Sequence, residues 1–202
     1  SKQLTRDALD WAMEKTGLAG DPELRERLLG LYWELPAYPE VPMMLARLKA
    51  AGKTCAILSN GSPDMLEGAV DSAGIGEFLD AVLSVEDVGT FKPSKAVYDM
   101  VAAQLGSART DVLFVSANGW DIAGASGYGF RTVWVNRAGD PVDRLPHRPQ
   151  HGTRIDPRMV EEPLVLVGQQ HVEVTRIDEA LGEGFERGHL LADLDDILGT
   201  LH

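Results

Sequence analysis

The sequence predicts an α/β fold in which a parallel sheet is flanked by helices. Three observations carry this. Short, nearly unbroken apolar runs such as Thr54–Leu58 and Val112–Val115 suit strands buried on both faces. Stretches with helical spacing separate those runs, which implies right-handed crossovers between parallel strands. Polar residues follow the runs directly, and in such sheets ligands bind beyond the carboxyl ends of the strands.

In chain order, Thr5 to Leu35 is helical by pattern. Leu9, Met13 and Leu18, then Leu24, Leu28, Leu29 and Tyr32, recur mostly at three- to five-residue steps among charged residues. Gly17 and Gly20-Asp21-Pro22 divide this into two helices, with Asp21 as N-cap and Pro22 at the first helical position. Pro36, Pro39 and Pro42 make an irregular entry to the next element. A repeating unit follows: helix Met43–Ala50, strand Thr54–Leu58, helix Asp64–Ala73 opened by Ser62-Pro63, and strand Ala81–Ser84. Helix Ser94–Leu105, strand Val112–Val115, helix Trp120–Ser126 and strand Thr132–Val135 complete a Rossmann-like core. Arg137 to Gly188 is rich in Pro, Gly and charge, with one alternating stretch, Leu164–Val174, expected as a hairpin or edge strand. Leu190–Leu201 reads as a terminal helix. The implied division is 1–38 helical, 39–148 the core, 149–189 an irregular insertion and 190–202 a helix of the core.

Nineteen Lys and Arg against 31 Asp and Glu leave a formal net charge of −12. A polyanion would be repelled, so nucleic acid is excluded as a partner, and an anionic substrate needs local positive groups. The single cysteine, Cys55, lies within the apolar run Cys55–Leu58 and reads as a small buried strand residue. With no possible intrachain disulfide, no apolar segment of spanning length and no hydrophobic signal core at Ser1–Arg6, the chain reads as cytoplasmic, without a membrane partner.

Four strand ends carry polar residues of the kind an anion-handling site needs, the fourth more weakly than the others. Ser59-Asn60-Gly61 places a hydroxyl and an amide near a helix N-terminus. Helix capping would be the ordinary role there, but Ser62 with Pro63 behind it serves as that cap, leaving Ser59 and Asn60 for a ligand. Lys92 precedes Pro93 and the cap Ser94, and stands beyond a strand tip, where a solvated charge and a functional ammonium are equal readings. Ser116, Asn118 and Asp121 gather at one turn beside the flat face of Trp120. A carboxylate next to hydroxyl and amide groups can orient a water or an ammonium. Asn136-Arg137, after the last strand, reads as a plain loop start.

Taken together, Leu58-Ser59-Asn60-Gly61, Lys92-Pro93 with Tyr98 six residues after the lysine, and Ser116-x-Asn118-x-Trp120-Asp121 resemble the L-2-haloacid dehalogenases of the haloacid dehalogenase superfamily. The resemblance runs from the helices near Thr5 to about Asn136. It implies a core with a helical cap subdomain, to which the first helices belong, a homodimer, and hydrolysis of short L-2-haloacids to 2-hydroxy acids. In that family an aspartate attacks the halogen-bearing carbon, and water hydrolyses the resulting ester with inversion. By the same resemblance Ser59 binds the substrate carboxylate, Asn60 helps hold the halide, and Lys92 pairs with the nucleophile. Tyr98, Ser116, Asn118 and Asp121 position Lys92, the water and the ester, and Trp120 walls the alkyl group. No cofactor is implied. Phosphatase relatives use acidic residues at the third cluster to hold Mg²⁺. Here Ser116 and Asn118 leave only Asp121, so a metal-free site is expected and the phosphatase reading is disfavoured.

The resemblance places the nucleophile on a strand of the form apolar-apolar-Phe-Asp-x-x-Gly-Thr ahead of the cap. No such segment occurs near Ser1, so the sheet is expected to lack its central strand, with unpaired backbone groups beside the gap. Asp193 and Asp195 superficially resemble the signature, but Leu191, Leu194, Leu198 and Leu201 recur at helical steps and favour a terminal helix. The alternative function is a catalytically silent small-anion-binding or interaction module on the same scaffold.

Overall fold

Alternation between apolar strands and amphipathic helices produces the expected architecture in the computed structural model, which describes residues 2–34, 36–137, 139, 141, 142, 144–147 and 164–167. Helices α1 (Lys2–Lys15) and α2 (Pro22–Gly30) come first, and a 3-10 turn, Leu31–Trp33, follows. The Asp21 side chain accepts a hydrogen bond from the Leu24 N–H at 2.8 Å, so the capped start at Asp21-Pro22 forms as expected. Leu9, Ala12 and Met13 on α1 and Leu24, Leu28 and Leu29 on α2 are buried, and Arg25 Nη2 donates to Asp10 Oδ2 at 2.9 Å across the pair. The 3-10 turn leans on the core through Trp33. A Cβ added at Gly68 would stand 2.6 Å from Trp33 Cδ1, so that close approach needs glycine.

The core runs α3 (Val41–Ala50), β1 (Thr54–Ser59), α4 (Pro63–Ala73), β2 (Ala81–Ser84), α5 (Lys95–Leu105), β3 (Val112–Ser116), α6 (Gly119–Tyr128) and β4 (Arg131–Trp134). Each agrees with its sequence-derived span to within a few residues. All pairings are parallel. Alternate strand residues pack on opposite faces. Ala56, Leu58, Val112 and Phe114 join Val97, Val101, Ile122 and Ala125 of α5 and α6. Cys55, Leu113 and Val115 join Leu45, Leu48 and, more peripherally, Val70 of α3 and α4. Cys55 is buried, as its apolar setting implied.

Two expectations are overturned. The sheet order is β2-β1-β5-β3-β4, where β5 is Leu164–Val167. That segment is neither a hairpin nor an edge strand. It is the central strand, pairing Cys55 with Val165 on one side and Leu113 with Val165 on the other. The slot between β1 and β3 is therefore filled by residues from the segment assigned to an irregular insertion. The physical reason is that a four-residue apolar run satisfies two ladders at once in that slot, whereas an edge position would leave one side of its backbone unpaired. The rest of Leu164–Val174, the terminal helix at 190–202 and the Asp193–Asp195 motif lie outside the described residues.

Candidate active site

Ser59 ends β1 and Ser116 ends β3, so the two polar turns stand side by side at the carboxyl edge of the sheet, on either side of β5. Lys92 enters between them from the loop ahead of α5. Its ammonium is fully buried and donates to Asp121 Oδ2 at 2.8 Å and to the Leu58 carbonyl at 3.2 Å. The solvated-charge reading of Lys92 is thus excluded. Of the three N–H groups of an ammonium, these contacts use two. The Phe114 and Trp120 rings lie 5.5 and 5.8 Å from Lys92 Nζ and add cation–π attraction on otherwise apolar sides.

Asp121 faces inward from the first turn of α6 with no solvent exposure, so it does more than complement the helix dipole. Its Oδ2 also accepts from Ser116 Oγ at 3.0 Å, while Oδ1 has no hydrogen-bond partner. Ser116 Oγ in turn accepts from the Asn118 backbone N–H at 3.2 Å. Asn60 joins the network through its Oδ1, which accepts from the Lys92 N–H at 3.0 Å. That bond fixes the amide plane and turns its NH₂ end, the end an anion recognises, the other way.

Ser59 Oγ accepts from the Gly61 N–H at 3.0 Å and keeps its own hydrogen to donate. Ser62 stands at the N-cap position of α4 but makes no capping hydrogen bond, and its buried Oγ has no partner; Ser94 likewise makes no side-chain cap on α5. The capping argument for Ser59 and Asn60 therefore fails. Ser59 makes only a local contact and its place in the site rests on position, whereas Asn60 is tied to the site by its bond from the Lys92 backbone N–H.

Tyr98 is almost fully buried against Phe114, Tyr128 and Phe130, and its hydroxyl has no hydrogen-bond partner. Burial first, and the Asp121 charge second, push its ionisation well above the ordinary tyrosine range, so it stays a neutral donor. Ser59, Asn60, Ser116 and Asn118 are buried as well. The structure thus brings all eight sequence-derived candidates to one edge. Lys92, Asp121, Ser116, Asn118 and Asn60 are linked directly by hydrogen bonds, Trp120 by its ring, Tyr98 by packing and charge, and Ser59 only through its own turn.

Sequence reasoning missed five supports. The Leu58 carbonyl is a backbone ligand that no residue type announces. Ser84 Oγ donates to the Gly61 carbonyl at 2.8 Å and pins the Ser59 turn. Trp134 Nε1 donates to the Ala117 carbonyl at 3.0 Å and pins the Ser116 turn. At Gly124 a Cβ would lie 2.6 Å from the Tyr98 hydroxyl oxygen and 2.7 Å from Pro93 Cβ, so glycine there lets α6 close on both. Arg137, read as a plain loop residue, stacks 3.7 Å over Tyr38 and donates to Glu40 at 2.6 Å, tying the strand exit to the entry of α3.

Among the described residues, the donor set at this turn does not fit a divalent metal. The turn offers one carboxylate, and Lys92 and Ser116 already occupy one of its oxygens.

Comparison with known proteins agrees with the geometry. A family model described as haloacid dehalogenase-like hydrolase matches residues 2–129. The (S)-2-haloacid dehalogenase 1 of Pseudomonas sp. strain CBS-3 is 46% identical over 141 residues, which is 70% of this chain and 62% of that protein. A crystal structure of a dehalogenase with an intermediate complex superposes with a TM-score of 0.72 at 38% identity, over 76% of this chain and 68% of that one. The L-2-haloacid dehalogenase of Xanthobacter autotrophicus with chloropropionic acid covalently bound gives 0.60 at 40% identity, over 65% and 53%. The chain spans about three-fifths of the length of the curated relatives it matches. With a matched model over more than half its residues and the site motifs in place on the fold, this chain belongs to the haloacid dehalogenase-like hydrolase family.

Proposed function

We propose that this chain forms most of an enzyme that hydrolyses short L-2-haloacids to 2-hydroxy acids. The observation that carries the reading is the buried Lys92, held by Asp121 and the Leu58 carbonyl with one N–H left over, at the edge where Ser59 and Asn60 also stand. An ammonium so placed stabilises a carboxylate nucleophile and the charge that shifts from it during displacement. In the proposed reaction an aspartate outside the described residues forms an ester bond to C2 as the carbon–halogen bond breaks, and halide leaves. Water then attacks the ester carbonyl, and the 2-hydroxy acid departs with inverted configuration. Ser59 holds the substrate carboxylate, Asn60 the halide and Trp120 the alkyl group. Ser116, Asn118, Asp121 and Tyr98 position Lys92, the water and the ester. The relative with chloropropionic acid covalently bound supports a covalent route.

The same reading makes residues 1–38 part of a helical cap beside the 39–148 core, the protein a cytoplasmic homodimer, and the chemistry independent of metal. The test is halide release from L-2-chloropropionate, with Lys92→Met abolishing turnover, the D-isomer inert and EDTA without effect. No halide from the L-isomer at any pH ends the dehalogenase reading. A second reading, a silent anion-binding module, is favoured by one observation: the central strand Leu164–Val167 carries no carboxylate. Binding of 2-haloacid without halide release selects it.

A further inference from the structure

The polar turns after β1 and β3 are built alike. In each, the serine that ends the strand accepts from the backbone N–H two residues on, Ser59 Oγ from Gly61 at 3.0 Å and Ser116 Oγ from Asn118 at 3.2 Å. The last residue of the neighbouring outer strand is that serine's register partner, Ser84 of β2 for Ser59 and Trp134 of β4 for Ser116. Each partner donates its side-chain hydrogen to a carbonyl of the turn beside it, Ser84 Oγ to Gly61 at 2.8 Å and Trp134 Nε1 to Ala117 at 3.0 Å.

The two grips differ in the peptide they hold. The Ala117 carbonyl and the Asn118 N–H are the two ends of one planar peptide unit. Trp134 therefore holds the same peptide that holds Ser116 Oγ. The Gly61 carbonyl belongs to the peptide after the one whose N–H grips Ser59, so the soft dihedrals of a glycine separate Ser84 from that contact. From Trp134 the donors run in one direction. The indole N–H donates to the Ala117 carbonyl, the Asn118 N–H to Ser116 Oγ, and Ser116 Oγ to Asp121 Oδ2 at 3.0 Å. That oxygen also accepts from Lys92 Nζ at 2.8 Å. Bonds aligned in this way polarise and strengthen one another. The indole is fixed in turn: Trp134 belongs to the core cluster of Phe114 and Ile122, and the Val135 N–H donates to the Ser116 carbonyl at 2.8 Å just beyond it.

We propose that Trp134 is a positioning residue of the site. Its indole N–H, acting through the Ala117–Asn118 peptide, aims the Ser116 hydroxyl at Asp121 and so fixes the carboxylate that holds Lys92. The relay lies wholly within β3, β4 and the start of α6; its effect on turnover rests on the dehalogenase reading.

Trp134→Phe keeps an aromatic ring in the core and removes the donor. Amide hydrogen exchange followed by NMR reads the relay without any substrate. In this variant the Asn118 N–H is expected to exchange about ten-fold faster than in the parent, while the Gly61 N–H keeps its rate. Ser84→Ala, the matched change on the other outer strand, should leave Asn118 unchanged. A general loss of stability speeds both amides together, so equal acceleration of Gly61 and Asn118 in Trp134→Phe overturns the relay, as does an unaltered Asn118 rate. Halide release from L-2-chloropropionate reads the consequence. Trp134→Phe is expected to lower kcat about ten-fold at unchanged KM, because Ser116 and Asp121 position Lys92 and the water while Ser59 holds the substrate. Ser84→Ala should instead act on KM. Equal loss of kcat in the two variants, or an altered Asn118 rate with kcat intact, overturns the positioning role. If the parent releases no halide, the dehalogenase reading fails and the exchange rates alone decide the relay. Should Trp134→Phe fail to fold, benzothienylalanine incorporated at position 134, which exchanges only the indole N–H for sulfur, takes its place in both measurements.

Discussion

Lys92 and Lys95 lie three residues apart, and each pairs with an aspartate at nearly the same distance, 2.8 Å to Asp121 and 2.7 Å to Asp99. The first pair is fully buried, and the second is an i,i+4 pair with side chains 68% and 45% exposed. Distance therefore says nothing about what either pair does. At the surface, water and salt screen the attraction and the long side chains give up entropy to hold one geometry. At the seam of the sheet no water competes, and removing one partner strands a charge in a medium that cannot solvate it. A buried pair of this kind is weak evidence for stability and better evidence for a constraint. It holds the ammonium at one point between two strand tips.

The contrast is tested most forcefully at Lys92. Lys92→Ala leaves the Asp121 carboxylate uncompensated and is expected to cost about 3–5 kcal/mol in denaturant unfolding. The double variant Lys92→Met with Asp121→Leu should recover most of that stability while remaining inactive. If the single variant is as stable as the parent, the burial argument fails.

Next in size is the packing that walls the buried pair. Gly124→Ala drives a methyl group into the Tyr98 hydroxyl and Pro93, for an expected loss of about 1–3 kcal/mol. Adding Tyr98→Phe removes the hydroxyl and should return part of it. Tyr98→Phe alone removes a buried hydroxyl that has no partner, so thermal unfolding should show little change or a gain. A fall in turnover at unchanged stability would then assign that hydroxyl to the reaction.

An intermediate case lies between the two lysines in burial. Lys49 bonds both oxygens of Asp80 at the amino end of β1, and the Cys55 N–H donates to the same carboxylate at 2.8 Å. Lys49 chiefly, and that N–H next, hold Asp80 below the ordinary carboxylate range. A lowered folded value means that its contribution is fully present above the unfolded pKa near 3.8 and is lost as pH falls through the lower folded value. Asp80→Asn should therefore destabilise at neutral pH and converge with the parent in acid. Parallel stability–pH curves would refute this. Smallest of all is Lys95→Ala, for which no measurable shift in melting temperature is expected.

The helices and strands from Val41 to Trp134 were legible in the sequence because each is set by contacts within a few residues: apolar spacing, proline at helix starts and the glycines that end helices. The composition of the site was legible for the same reason. Ser59-Asn60 and Ser116 to Asp121 each sit within one turn, and parallel topology puts such turns at one edge. Lys92 was ambiguous, since burial depends on Asp121, Leu58 and Phe114, which are brought to it from elsewhere in the chain. Ser62 misled because a capping residue at a capping position still needs its oxygen turned toward the backbone N–H groups, and here it makes no such bond.

Local sequence was enough to set out the strands, each with its polar tip, and the family those tips mark. Which segment lies between them was left to long-range pairing. Leu-Val-Leu-Val is short enough to suit an edge, a hairpin or a core strand, and local periodicity cannot choose among these. The central position satisfies the backbone of β5 on both sides and, at the same time, the inner edges of β1 and β3.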